Sequence, residues 1–211
     1  GYYLLAHKDD KESIMDRNPE KGIDPLTGLY NMDKFITVSE DYIKDIITEM
    51  DDSDVATSDN ITIPVKDIAA EVTSVKIPSE ALMNIVSFEK GLTVETNESV
   101  VTLDSVALKS IADKVEANST IRLDVKSIKE DSLNQSQKDA IKDETIEKII
   151  SAELFCNDEY ISDFGNGKAS VQIPFELPEG TEGCDYEVWY IADNGDIEIL
   201  MEHAFGSDNN V

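Results

Sequence analysis

Basic side chains are scarce in this sequence. Its 211 residues include 18 Lys and Arg against 45 Asp and Glu, which gives a net charge of −27 at pH 7. Proteins that bind nucleic acids neutralise phosphates with Lys and Arg, and anionic membrane surfaces also attract basic segments. The composition therefore predicts no nucleic-acid partner. Long apolar runs are lacking too, since none approaches the roughly 20 residues of a membrane-spanning helix, and we predict no membrane span.

Histidine and cysteine are equally rare, with two of each. His7 and His203 lie near opposite ends of the sequence, and Cys156 and Cys184 are far apart. Zinc sites and His-based catalytic centres need such residues at short, characteristic spacings, so neither is predicted. The sequence also lacks a P-loop, HExxH and GxSxG motif. For the cysteines two alternatives stay open: a disulfide in an exported protein, or two separate thiols.

An acidic stretch divides the sequence. Residues 51–60 read DDSDVATSDN, a polar composition that is typical of an exposed connector. We therefore predict a helical segment at 1–50, a linker at 51–60 and an α+β module at 61–211. In the first segment, apolar residues recur every three or four positions over 31–50, which predicts an amphipathic helix with Asn31 as its N-cap.

The pattern after the linker alternates between short strands and helices. Strands are predicted at 73–77, 91–96, 99–103 and 119–128, with helices at 78–86 and 104–117. The two helices are similar in sequence, so the order β-α-β-β-α-β indicates a weak internal repeat. A further helix is predicted at 132–144, capped by Ser132.

Four β-rich segments then follow, at 147–155, 168–177, 184–192 and 196–202. Asn194-Gly195 between the last two predicts a hairpin, because both residues tolerate positive φ. The fold class predicted from the whole pattern is α+β: an N-terminal helix, a βαββαβ-like half and a C-terminal antiparallel β region.

The segment Asp24-Pro25-Leu26-Thr27-Gly28-Leu29-Tyr30-Asn31 resembles the D-x-L-T-G-L-x-N opening of GGDEF-type diguanylate cyclase domains. The resemblance covers residues 24–50, although Met32 stands where the family usually has Arg. It implies that this segment contains the start of the family's first helix. The Gly-Gly-Asp/Glu-Glu-Phe hairpin that defines the family is absent, and we assign no catalytic residues. Phosphoryl transfer on GTP needs carboxylates that hold Mg²⁺, so cyclase activity is not predicted.

Residues 72–200 resemble a module of Gram-positive bacterial surface proteins that is found beside S-layer homology repeats. The similarity lies in VKIPSEALMNI, in LTVETNESVVTLDSVALKSIA and in SVQIPFEL followed by VWYIADNGDIE. It implies an extracellular or cell-surface location and a structural or adhesive role without catalysis. The alternative is a fragment of a cyclic-dinucleotide signalling protein in the cytoplasm, acting as a connector or degenerate regulatory domain. A natural fusion and a chimera would each explain the two resemblances.

Two candidate sites emerge near the C-terminus. Tyr186 and Tyr190 share one face of a predicted strand, where aromatic rings are suited to stacking on sugars; Trp189 points the other way and is predicted to be core. Asp193, Asp196 and Glu198 surround the predicted hairpin, and calcium prefers such oxygen ligands. We predict no cofactor, with calcium as the one ion considered. The partner considered is a cell-envelope protein or polysaccharide.

Overall fold

The computed structural model describes residues 2–5, 30–32, 35–52, 58–68, 72–176 and 187–200, and the protein is α+β. The strands are β1 Tyr2–Leu5, β2 Tyr30–Met32, β3 Phe35–Thr37, β4 Asn60–Ile63, β5 Ser74–Pro78, β6 Gly91–Glu95, β7 Val100–Leu103, β8 Thr120–Ser127, β9 Lys148–Cys156, β10 Glu159–Tyr160, β11 Ala169–Gln172, β12 Trp189–Ile191 and β13 Ile197–Ile199. The helices are α1 Glu40–Asp52, α2 Val65–Ile68, α3 Ser79–Ser87, α4 Ser105–Ala112 and α5 Gln135–Ile141, with a 3₁₀ turn at Glu130–Ser132.

Contacts divide the chain into two compact units. The described residues of unit 1 fall within Gly1–Lys11, Val125–Ala152 and Gln172–Val211. Those of unit 2 fall within Glu12–Asp124 and Glu153–Val171. Strand β8 runs from unit 2 into unit 1, and β9 runs back. Helix α1 therefore belongs to the same unit as most of the residues that follow it. The linker at 51–60 stays a prediction, because residues 53–57 lie outside the described part of the chain.

Unit 2 contains strands from two sheets. One has the order β8-β5-β3-β2, in which β5 is antiparallel to β8 and parallel to β3. The other has the order β11-β7-β6-β4, with β6 antiparallel to β7 and parallel to β4. Helix α3 contacts strands of both sheets and also packs against α1 and α4.

The core of unit 2 follows the strand and helix periodicities. Alternate residues of the first sheet are buried, as are one face of each packed helix and the inward residues of the second sheet. The fully or almost fully buried residues include Ile36, Val75, Ile77, Ile121, Leu123, Leu82, Ile85, Leu108, Ile111, Ile61, Ile63, Leu92 and Val94. This burial leaves the other face of the first sheet facing away from the helices.

The N-terminal helix is shorter than predicted. Asn31 is not its N-cap but lies in β2, where it pairs with Ile36 of β3. The helix begins at Glu40, and Ser39 caps it by accepting a hydrogen bond from the Tyr42 amide at 3.1 Å. Residues 35–37 form a strand that pairs with β5, and both Ile36 and the following Val38 are fully buried. Phe35 and Val38 fit the spacing of the predicted helix, but the two-residue spacing and the β-branched side chains of Ile36 and Val38 favour extended structure.

The β-α-β-β-α-β order is confirmed as β5-α3-β6-β7-α4-β8. Its two outer strands, β5 and β8, pair with each other, which is the arrangement expected of a split βαβ unit. The inner hairpin β6–β7 instead belongs to the second sheet, where it is joined by β4 and β11. The sequence therefore predicted the element order correctly but not the partition of these strands between two sheets.

A loop from the later part of unit 2 lies along α4. Asp104, the N-cap of α4, accepts hydrogen bonds from the Ala107 amide at 2.7 Å and the Lys168 amide at 3.0 Å. Beyond the end of the helix, the Lys114 ammonium contacts the Asp163 carboxylate at 2.7 Å. Gly167 lies so close to the helix that an added Cβ would be 2.1 Å from the Ala107 nitrogen.

Unit 1 contains strands in the order β13-β12-β1-β9, all antiparallel to their neighbours, and α5 packs beside them. Its core is formed by Leu133, Ile141, Ile149 and Ile191, with Ile128, Ala140 and Ile146 at the margin. The C-terminal antiparallel β region is therefore present as predicted. Within the described residues, no helix is long and apolar enough to cross a bilayer.

Candidate functional site

The predicted C-terminal site lies on the β12–β13 hairpin. Tyr190 is half-buried in β12 and stands opposite Glu198 of β13. Asp193 and Asp196 lie in the exposed turn between the strands. Tyr186, the second predicted aromatic ligand, falls outside the described residues. The role of Tyr190 in ligand binding stays a prediction.

The hairpin turn is built differently from the predicted one. Gly195 has φ +90, but Asn194 is not among the described residues with positive φ. The Gly195 amide donates to the Ala192 carbonyl at 3.0 Å, and the Ala192 amide donates to the Asp196 carbonyl at 2.9 Å. Only the glycine therefore needs the left-handed region, as in a three-residue loop with a bulge.

The acidic side chains of this hairpin are not arranged as a metal site. Among the residues that the structure describes, no group of three His, Cys, Asp or Glu side chains could hold a metal ion. Asp196 instead accepts a hydrogen bond from the Asn194 side-chain amide at 2.7 Å. The calcium prediction for Asp193, Asp196 and Glu198 thus receives no geometric support.

A different surface of unit 2 brings together groups suited to binding. We call it the aromatic–cation face, and it consists of Phe35, Lys76, Arg122, Phe155 and Tyr160. The Lys76 ammonium lies 3.7 Å from the centre of the Phe35 ring, and the Arg122 guanidinium carbon lies 4.5 Å from the centre of the Phe155 ring. Strand register places Lys76 beside Arg122, so both cation–π pairs share the sheet face that points away from the buried one.

Arg122 forms ion pairs with two carboxylates beside this face. Its guanidinium donates to Asp124 on its own strand at 3.1 Å and forms an ion pair with Asp158. Asp124 in turn accepts a hydrogen bond from the Ser74 hydroxyl of β5. The hydrogen bond with Asp158 is the main cause that raises the pKa of Arg122 above its ordinary value. The guanidinium is therefore permanently charged, and its plane is fixed by several partners.

A tight turn positions the remaining groups. Asn157 and Asp158 join β9 to β10, and both have positive φ, 47° and 70°, as a two-residue hairpin of type I′ requires. The Asn157 side chain anchors the turn by accepting from the Thr120 amide at 3.0 Å. The turn holds Asp158 against Arg122, and it brings Tyr160 edge-on to Phe155 with ring centres 5.8 Å apart.

Tyr160 is the most exposed member of the aromatic–cation face, with 55% of its surface accessible. Aromatic rings offer apolar faces to sugars and similar ligands, while Arg and Asp provide directed hydrogen bonds to hydroxyl groups. One sequence signal could have indicated this face, namely the polar residues that alternate with apolar ones in β5 and β8. No such signal marks Phe155 or Tyr160, because their placement depends on the turn at 157–158.

Cys156 is half-buried at the end of β9, while Cys184 lies outside the described residues. The disulfide alternative therefore stays untested. Comparisons of the chain with models of protein families, with curated proteins and with solved structures find no match.

Proposed function

We propose that this chain is a non-catalytic module of a bacterial cell-surface protein, and that it binds a polysaccharide of the cell envelope. The observation that carries the proposal is the aromatic–cation face, on which the exposed Tyr160 and the stacked Arg122–Phe155 pair lie together. The resemblance of residues 72–200 to a surface-protein module supports the cellular context. The extracellular or cell-surface location belongs to the same proposal.

The net charge of the chain favours a neutral ligand over a polyanion. At a net charge of −27, polyanions such as teichoic acids would be repelled over most of the surface. Arg122 is partly neutralised by Asp124 and Asp158, so this face presents both donors and acceptors. A neutral glycan uses both kinds of group through its hydroxyls, and its ring faces suit Tyr160.

The test is binding to a glycan array and to isolated cell-wall polysaccharide. We expect binding to neutral glycans, and Tyr160→Ala should weaken it by about 1 kcal/mol, or roughly fivefold, through loss of ring stacking. Tyr160→Phe should retain most of the affinity. Met83→Ala is the matched control, because Met83 is equally exposed, at 54%, but lies on α3.

Two outcomes would contradict the proposal. Absence of binding to every neutral glycan, with and without added calcium, would leave no adhesive role for the face. Equal losses in Tyr160→Ala and Met83→Ala would show that the face is not the binding surface. Formation of a cyclic dinucleotide from GTP and Mg²⁺ by the purified chain would refute the non-catalytic assignment and favour the signalling alternative.

A further inference from the structure

The outer edge of the β12–β13 hairpin is an unusual surface for an acidic chain. In the described part of the chain, β13 pairs with β12 and with no other strand. Ile197 and Ile199 of this edge strand are 37% and 47% exposed, although both are large aliphatic residues. Edge strands are templates for pairing with another strand, and proteins protect them by keeping them short or with charged side chains, Pro or a bulge. β13 has three residues and contains neither Lys nor Pro, and its one charged side chain is the acidic Glu198.

The direction of the main-chain groups follows from the ladder. The Leu200 amide donates to the Val188 carbonyl at 3.0 Å, and the Ala192 amide donates to the Asp196 carbonyl at 2.9 Å. In an antiparallel pair the residues that bond to the neighbour alternate with residues whose N–H and C=O point away. Glu198 is therefore bonded towards β12, whereas Ile197 and Ile199 direct their main-chain groups outward.

We propose that the β13 edge binds an extended peptide segment of another protein by strand addition, and that this segment carries a basic residue between two apolar ones. Apolar residues of the segment would lie beside Ile197 and Ile199, and the basic residue beside Glu198. The acidic hairpin turn, with Asp193 and Asp196, also favours a positive charge on the partner. This edge belongs to unit 1 and does not depend on the aromatic–cation face of unit 2.

A second copy of this chain fits the edge poorly. If two β13 strands paired antiparallel about Glu198, the two Glu198 side chains would face each other. If they paired about Ile197, Asp196 would face Glu198. Like charges directly opposite each other destabilise a strand pair, so charge disfavours self-pairing in these two registers and favours a basic segment at the edge.

The probe for the test is a capped synthetic peptide, Lys-Thr-Val-Lys-Val-Thr-Lys, together with a version in which the central Lys is Glu. Trp189, the only tryptophan, is directly opposite Ile199, so its fluorescence reports binding at this edge. We expect the Lys-centred peptide to bind and the Glu-centred peptide to bind about tenfold more weakly or not at all. Glu198→Lys should reverse this preference.

The decisive variant is Ile199→Pro, with Ile199→Val as its matched control. Proline at 199 removes an outward N–H but no bond to β12, and the preceding Glu198 is already extended. We expect Ile199→Pro to lose peptide binding by about tenfold or more, and Ile199→Val to keep it. Circular dichroism and the urea midpoint verify that both variants fold.

If Ile199→Pro does not fold, amide hydrogen exchange on the unchanged chain decides instead. The proposal predicts that the Ile197 and Ile199 amides exchange more slowly when the Lys-centred peptide is bound. Equal binding of the two peptides, unchanged exchange at these amides or equal affinity in the Pro and Val variants would overturn it. Sedimentation that shows a dimer abolished by Ile199→Pro would also overturn it, in favour of a second copy of this chain.

Discussion

The Gln137 side-chain amide donates a hydrogen bond to the Ala192 carbonyl at 3.3 Å, and so joins α5 to the start of the hairpin turn. The oxygen of the same side chain accepts from the Asn134 amide at 3.0 Å, completing a capping box at the N-terminus of α5. Asn134 makes a second bridge to the turn, from its side-chain amide to the Asp193 carbonyl at 2.8 Å. The helix cap and the hairpin therefore form one hydrogen-bonded assembly within unit 1.

The first prediction concerns Gln137, which is completely buried although it is polar. Gln137→Ala removes the acceptor of the Asn134 amide and the donor to the Ala192 carbonyl, and should lower the free energy of unfolding by about 1–3 kcal/mol. Urea denaturation measures the change. Gln135→Ala is the control, because Gln135 is exposed on the same helix and its side chain donates to Asp139, one turn along. An equal, small loss in both variants would contradict a structural role for the buried amide.

The second prediction concerns the N-cap of α4. Asp104→Ala removes acceptors for the Ala107 and Lys168 amides and should cost about 1–2 kcal/mol. Asp104→Asn should fall between Ala and the unchanged protein, because its oxygen can cap the helix while its amide nitrogen cannot accept from Lys168. Thermal unfolding measures the order of stability of the three proteins. Equal stability of the Asn and Ala variants would show that the cap itself contributes little.

The third prediction concerns the close approach of Gly167 to α4. A Cβ at this position would be 2.1 Å from the Ala107 nitrogen, which is main chain and cannot rotate away. Gly167→Ala must therefore displace the loop from the helix, at a cost of about 2 kcal/mol. The neighbouring Asn166 is exposed, and Asn166→Ala should change stability by less than about 0.5 kcal/mol. Protease cleavage within 161–168 should accelerate only in the glycine variant.

The fourth prediction concerns the titration of Asp163. The hydrogen bond from Lys114, and then that from the Gly165 amide, lower the pKa of Asp163 below its ordinary 3.8. Because the folded-state pKa is the lower one, the interaction stabilises the fold above the unfolded-state pKa and is lost as pH falls through the folded value. A carboxyl-detected NMR titration measures the pKa of Asp163.

Lys114→Met should raise the pKa of Asp163 towards 3.8, while Lys109→Met on the exposed side of α4 should leave it unchanged. The surface position of the pair means that salt should weaken the effect. An Asp163 pKa that is the same in the Lys114 and Lys109 variants would refute the assignment to Lys114.

Some of this structure could be predicted from short stretches of sequence. Asp104 caps α4, and its position in the sequence predicts this, because a side-chain carboxylate before an apolar helix satisfies amides within three residues. Pro78 directly precedes α3, and Gly195 turns the last hairpin. By contrast, Ser132 was predicted to cap α5, but Asn134 does so. Each of the two has a Gln three positions later, and the capping box forms with Gln137, which is buried and also bonds to the Ala192 carbonyl.

The candidate binding face could not be predicted in the same way. Residues 35–37 were predicted to be helical, but they form a strand because pairing with β5 satisfies their main-chain hydrogen bonds and buries Ile36. That choice placed Phe35 under Lys76. Neither residue carries a local signal of the contact, since it joins segments that are distant in sequence.

The sequence by itself determined the α+β class, the order of most elements and the caps and turns, because these depend on groups within a few residues of one another. Tertiary structure alone decided which strands share a sheet, and with it the meeting of Arg122 with Phe155 and the outward edge at Ile197 and Ile199. These features arise from strand register and pairing, which satisfy main-chain hydrogen bonds and bury apolar surface across the whole unit.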